Sequence, residues 1–203
     1  MIYCIGDSHV SFFLGRDRLA HRWPKVTRHA DKRFRVFHIG PATAYNLISK
    51  RSTTHSREKM GHILRELDKG ADLLLSFGEI DIRTRAFRSP KLNEFIKTTC
   101  DRYSDAINRI RDRGFNVRLW LPPSTPEEKN TASWPSFGPG NRRNEVTLTM
   151  ADRLHDKLDL PVLTVIPDVV DEEMYTREEY LLHRKIHLSQ KAMAFANKLL
   201  DPP

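Results

Sequence analysis

Short apolar runs alternate along the chain with longer stretches whose apolar positions recur at helical spacing. Ile2-Tyr3-Cys4-Ile5, Phe34 to Ile39, Leu73 to Phe77, Val117 to Leu121 and Val162 to Ile166 each read as a strand, and the continuously apolar third run asks for burial on both faces. Between the second and third runs, residues 42–50 and 56–69 read as helices, with Gly70 as a stop. Residues 92–113 form a longer helical pattern with Phe95, Ile96, Tyr103, Ile107 and Ile110 on one face and Gly114 closing it. Residues 144–158 precede the fifth run, and a last helix capped by Ser189 runs to Leu200 with Ala192, Phe195, Ala196 and Leu199 inward. Strands alternating with helices predict an α/β fold: a three-layer α/β/α sandwich around a central five-stranded parallel sheet of flavodoxin-like type.

Two stretches do not fit that scheme. Residues 122–141 hold five prolines and two glycines, with Trp134 and Phe137 among them. Because the segment follows the fourth strand, it is expected on the ligand side as a wall or lid. Residues 168–184 are acidic first and basic last and read as irregular.

Composition narrows the class. At 203 residues and 39% hydrophobic, the chain suits a single domain spanning residues 1–203. Two cysteines make no disulfide framework, and Cys4 and Cys100 read as small buried apolar residues. No apolar run has the roughly 18 residues a membrane span needs, and Met1 to Ile5 leads straight into Gly6-Asp7-Ser8 without a signal-peptide pattern. The expectation is therefore a cytoplasmic protein with no membrane span. The net charge is +8, with arginine dense around Arg16–Arg35 and Arg109–Arg118. Without a basic block or a basic stripe interleaved with aromatics, the pattern reads as a solvated surface, and nucleic acid is not the expected partner.

Candidate chemistry gathers at the strand ends. Gly6-Asp7-Ser8-His9 follows the first, Gly40-Pro41-Ala42-Thr43-Ala44 the second, Gly78-Glu79-Ile80-Asp81-Ile82-Arg83 the third, and His187-Leu188-Ser189 comes late, after the fifth. A parallel sheet brings these to one edge, where ligands bind. A serine there with a histidine from a distant loop is the arrangement that acyl transfer needs, because the hydroxyl requires a base within hydrogen-bond reach. Gly40 lets its N–H approach an oxyanion closely. Taken alone, Gly6-Asp7-Ser8 is also a plain turn, His187 a loop histidine, and Glu79, Asp81 and Arg83 a structural ion-pair network. His183 and His187 are four apart, but Arg184 stands where a zinc helix needs glutamate, so neither metal nor other cofactor is expected.

In their order, spacing and placement these blocks resemble those of the SGNH hydrolases, also called GDSL esterases/lipases, over nearly the whole chain. The resemblance implies Ser8 as nucleophile, the N–H groups of Ser8 and Gly40 as oxyanion hole, and His187 as general base. Asp7, His9, Thr43, Glu79, Asp81 and Arg83 are then candidates for binding substrate or supporting the site. Two positions depart from the family pattern. Ile80 stands where the family has an oxyanion-hole asparagine, and isoleucine donates no hydrogen bond. Arg83 is the nearest strong donor in sequence. The run Gly-Glu-Ile-Asp-x-Arg looks like the third block of a variant bacterial branch. Arg184 stands where the family has the aspartate that orients the histidine. Glu79, Asp81, Glu178, Glu179 or a backbone carbonyl then remain to orient His187. The resemblance implies a serine esterase or acyltransferase acting on O-acyl, foremost acetyl, esters of a carbohydrate or other small molecule. The alternative is a non-catalytic module of the same fold that binds a glycan or an anion.

Overall fold

The computed structural model describes residues 1–124, 135–182 and 186–201. Five strands, β1 (Ile2–Gly6), β2 (Phe34–His38), β3 (Asp72–Ser76), β4 (Asn116–Trp120) and β5 (Val162–Leu163), form one parallel sheet in the order β2-β1-β3-β4-β5. This is the flavodoxin-like order, with the chain reversing its winding direction between β1 and β3.

Helices cover both faces, as the doubly apolar strands require. Alternate residues of each strand point to opposite sides. Ile5, Leu73, Leu75, Val117 and Leu119 belong to a core completed by α1 (Ser56–Arg65), α3 (Leu92–Arg111) and α4 (Gly140–Leu158). Cys4, Val36, Leu74 and Trp120 belong to the other, with the 3-10 helix Ser8–Leu14 and α6 (Met193–Leu200). Phe12 stacks on Trp120 and Phe13 meets it edge-on, which packs the segment after β1 against the sheet. The two free cysteines are buried, and burial raises both thiol pKa values, that of Cys100 to about 11, so they behave as inert apolar groups. Among the described residues no helix is long and apolar enough to cross a membrane.

The structure departs from the sequence expectations in several places, among them α1, which stops at Arg65 and not at residue 69, and α4, which starts at Gly140 and not at residue 144. Residues 42–50 form turns instead of a helix, because the Asp81 carboxylate takes the N–H groups of Ala44 and Tyr45 while Thr43 Oγ1 accepts from Asn46 N. β5 is only two residues long: Thr164 Oγ1 accepts from Ile166 N, and the chain turns into α5 (Ile166–Val169) with Pro167 in its first turn. The short helix α2 (Glu79–Thr84) follows β3 at a stretch whose sequence suggests no helix. At the C-terminus Ser189 makes no capping hydrogen bond, and a 3-10 turn, Gln190–Ala192, leads into α6. There Ala192, Ala196 and Leu200 are buried, while Phe195 and Leu199 pack only partly against that core.

Gly6 ends β1 at the point where β1 and β3 approach. A Cβ there would sit 2.5 Å from the Ser76 carbonyl oxygen and 2.9 Å from Ser76 Cβ. Both are main-chain or near-main-chain atoms that cannot swing away. Gly6→Ala is therefore expected to cost about 1–3 kcal/mol of stability, as overpacked core substitutions do. Urea unfolding of the variant beside the parent measures it.

Candidate active site

The winding reverses between β1 and β3, and the predicted blocks meet there at the carboxyl edge of the sheet, where folds of this type bind ligands. The ladder continues past the strand ends: Ile39 N donates to Gly6 O at 2.9 Å and Asp7 N to Ser76 O at 3.2 Å. Ser8 and Gly40 thus leave adjacent strands side by side. Asp7 caps the 3-10 helix, its Oδ1 accepting from His9 N at 2.9 Å. Gly40 has φ +98°, a backbone conformation that favours glycine, and Lys59 Nζ braces the turn by donating to Ile39 O at 2.9 Å. Among the described residues neither the Ser8 N–H nor the Gly40 N–H has an acceptor.

His187 reaches this point from the far end of the chain. Its Nε2 lies 2.8 Å from Ser8 Oγ, across 179 residues of sequence. Ser8 is half-buried and His187 only 6% exposed. The loop carrying the histidine is held by Leu182 N donating to His187 O at 2.7 Å and by the bridge between Leu181 and Leu188. Arg184, in the position the family resemblance gives to aspartate, lies with His183 and Lys185 outside the described residues.

Beneath the pair lies a buried charge chain. Arg83 Nε donates to Glu79 Oε1 at 2.7 Å, one turn away on α2. Glu79 Oε2 faces His9 Nε2 at 3.2 Å, a charge contact and not an aligned hydrogen bond. The His9 ring packs against the His187 ring, centroids 4.8 Å apart and planes 43° apart. Burial pushes against ionisation of Glu79, but Arg83 and His9 more than offset it and hold its pKa near 2. Burial likewise disfavours the charged form of His9, yet the Glu79 carboxylate raises its pKa above the ordinary value. For His187 burial and the charge on His9 act together and bring the pKa to about 3. Asp7, fully enclosed, is raised by burial to about 6.

The remaining candidates serve the walls. Asp81 Oδ2 accepts from Ala44 N at 2.7 Å and Oδ1 from Tyr45 N at 3.2 Å, so this carboxyl fixes the loop after Gly40 and does not face His187. Thr43 turns its hydroxyl to Asn46. Arg83, the sequence candidate for the donor replacing asparagine, directs Nε to Glu79 and Nη1 to Pro135 O at 2.7 Å. Ile80 is half-buried and joins neither core. Of the long segment 122–141, the stretch holding Trp134 lies outside the described residues. Its returning end is strapped over α2 by Phe137 N to Arg83 O at 2.9 Å and by Arg88 over the Phe137 ring.

Sequence reasoning missed the pairing of His9 with Glu79 and His187, and missed Asn144. This buried residue accepts from Ser124 N at 2.7 Å and donates to Met174 O and Thr176 Oγ1, tying the entry of the long segment to residues after β5. No periodicity marks it, because it lies on the polar-looking start of α4. Among the described residues no group of three potential metal ligands is gathered.

No family model and no curated protein matches the chain. Solved structures do. The carbohydrate acetylesterase Est24 of Sinorhizobium meliloti is 13% identical with a TM-score of 0.54, over 98% of this chain and 97% of that one. A carbohydrate acetylesterase family member from the same organism gives 15% and 0.55, over 98% of each chain. A GDSL-like lipase from Bacteroides thetaiotaomicron gives 10% and 0.57, over 98% of this chain and 84% of that one.

Asp81 generates a pH test of this architecture. Burial raises its pKa to about 7, against the pull of the two N–H groups. A carboxyl whose folded pKa exceeds its unfolded value stabilises the fold below the unfolded pKa and loses that contribution as pH rises through the folded one. Asparagine has no such titration. The stability of Asp81→Asn relative to the parent is therefore expected to rise between about pH 4 and pH 7, and urea unfolding at several pH values in that window measures the slope. At this sequence distance what the comparisons establish is architecture: the chain has the α/β fold of the SGNH, or GDSL, hydrolases.

Proposed function

We propose that the chain is a serine esterase or acyltransferase acting on small O-acyl esters, acetyl esters of carbohydrates foremost. The observation that carries this reading is the 2.8 Å approach of His187 Nε2 to Ser8 Oγ at the carboxyl edge of the sheet. A hydroxyl becomes a useful nucleophile only when a base stands within that reach. Ser8 Oγ attacks the ester carbonyl carbon while its proton passes to His187 Nε2. The N–H groups of Ser8 and Gly40 hold the developing oxyanion. Collapse of the tetrahedral adduct breaks the bond to the alcohol, which leaves with the proton from His187. The acyl group stays on Ser8 until water or a second hydroxyl, deprotonated by His187, takes it by the reverse path. The carbohydrate acetylesterases among the structural neighbours support the choice of substrate class.

Ile80 sets the expected vigour of this site. With no side-chain amide there, the oxyanion rests on two backbone donors, and one lost donor costs about 10²–10³ in rate in comparable sites. The test is hydrolysis of 4-nitrophenyl acetate and short homologues by the parent, Ser8→Ala and His187→Ala, with fluorophosphonate labelling followed by intact mass. Both substitutions are expected to lower turnover by about 10³-fold or more. The parent should gain a single adduct, and Ser8→Ala none. An unlabelled parent without Ser8-dependent turnover would overturn the reading and favour the glycan- or anion-binding module.

A further inference from the structure

The site contains a histidine that this acyl-transfer scheme does not use. His9 follows the nucleophile directly, and its side chain is 2% exposed, too enclosed to meet substrate. One side of its imidazole faces a carboxylate that is itself anchored by an arginine; the other side lies against the ring of the proposed base. A buried, carboxylate-held imidazole carries its proton readily. Two imidazoles this close cannot both be cationic without strong repulsion.

We infer that His9 is a positioning residue for His187: its ring holds the base against Ser8, and its Glu79-held positive charge keeps the base unprotonated in the resting site. The inference rests on the esterase reading for its meaning in catalysis, though not for its test.

The charges around the two rings favour this division of labour. Facing them are Asp7 on the same loop as His9, Glu79 and Arg83 on α2, and His38 at the end of β2. Glu178 and Glu179 are exposed on the turn before Leu182. Glu79 directs its oxygens to His9 and Arg83, so its charge favours a proton on His9 first. His38 turns Nδ1 to Ala20 O at 3.0 Å, and burial lowers its pKa, so among the described residues the charge that weighs most on the base is that of His9. In the turnover, the proton taken from Ser8 makes His187 a cation beside a cation. Repulsion between the two cations favours passing the proton on to the departing alcohol.

Histidine ring resonances followed by NMR through a pH titration test this directly. In the parent, His9 is expected to hold its proton at pH values where His187 is neutral; the reverse order would overturn the inference, and this reading needs no variant. In His9→Gln, which keeps a polar side chain but no charge, the titration of His187 is expected to move up by at least about one pH unit. The acid limb of Ser8 labelling by fluorophosphonate should move up with it. A folded His9→Gln protein whose His187 titrates where the parent's does would equally overturn it. A parent that never labels at Ser8 would sink the esterase reading and leave the NMR order of protonation to judge His9 by itself.

Discussion

A carboxylate shut away from water keeps its charge only if cations come to it, and Glu79 is such a group. Its burial would by itself neutralise it; Arg83 and His9 reverse that and hold it ionised far below the ordinary range. Satisfying it fixes three parts of the molecule at once. Arg83 on the same helix also takes the Pro135 carbonyl, and its own carbonyl accepts from Phe137 N, so the returning end of the long segment is tied down through the same residue. His9 ties the 3-10 helix after β1 to α2 after β3, across the reversal of winding where ligands enter folds of this type. Losing Arg83 would leave His9 alone to offset the buried Glu79 charge, a costly defect.

Asp81, two residues further on, meets the opposite fate. Its partners are main-chain N–H groups, and their pull together with that of Arg85 does not offset burial, so its pKa climbs to about 7. Two carboxyls on one short helix are thus driven apart by their surroundings, one held ionised and one poised near neutrality. Such a split marks groups with different tasks. Glu79 organises charge under the histidines, while Asp81 shapes the backbone that presents Gly40.

The strands and most helices are legible in the sequence because their signals are local. Alternating apolar faces, Gly114 just past the end of α3 and Pro161 before β5 act within a few residues. The failures share a different cause. Residues 42–50 carry an amphipathic pattern, but a carboxylate from another element claims their N–H groups, and nothing near position 42 announces Asp81. The apolar run from Val162 to Ile166 overstates β5 because an edge strand that pairs with one neighbour is held by few bonds, and Thr164 with Pro167 redirects it. At the site, the blocks holding Ser8, Gly40 and His187 can be read as strand-end motifs. The contact of His9 with His187 cannot, since it depends on how a terminal loop crosses a 3-10 helix.

On the proposed esterase reading, the siting of charge also bears on which alcohols the site releases. In a Ser-His-Asp site the carboxylate stabilises the imidazolium, which makes the histidine a better base and a weaker acid. Among the described residues the carboxylate stands one imidazole further out, on His9, so the protonated base is destabilised. That costs something when Ser8 gives up its proton and returns it when the leaving group needs one. A nitrophenolate departs without help and recovers nothing. A sugar hydroxyl, which departs poorly as an alkoxide, takes the proton from an unusually acidic imidazolium. On that reading the arrangement penalises activated esters relative to unactivated ones.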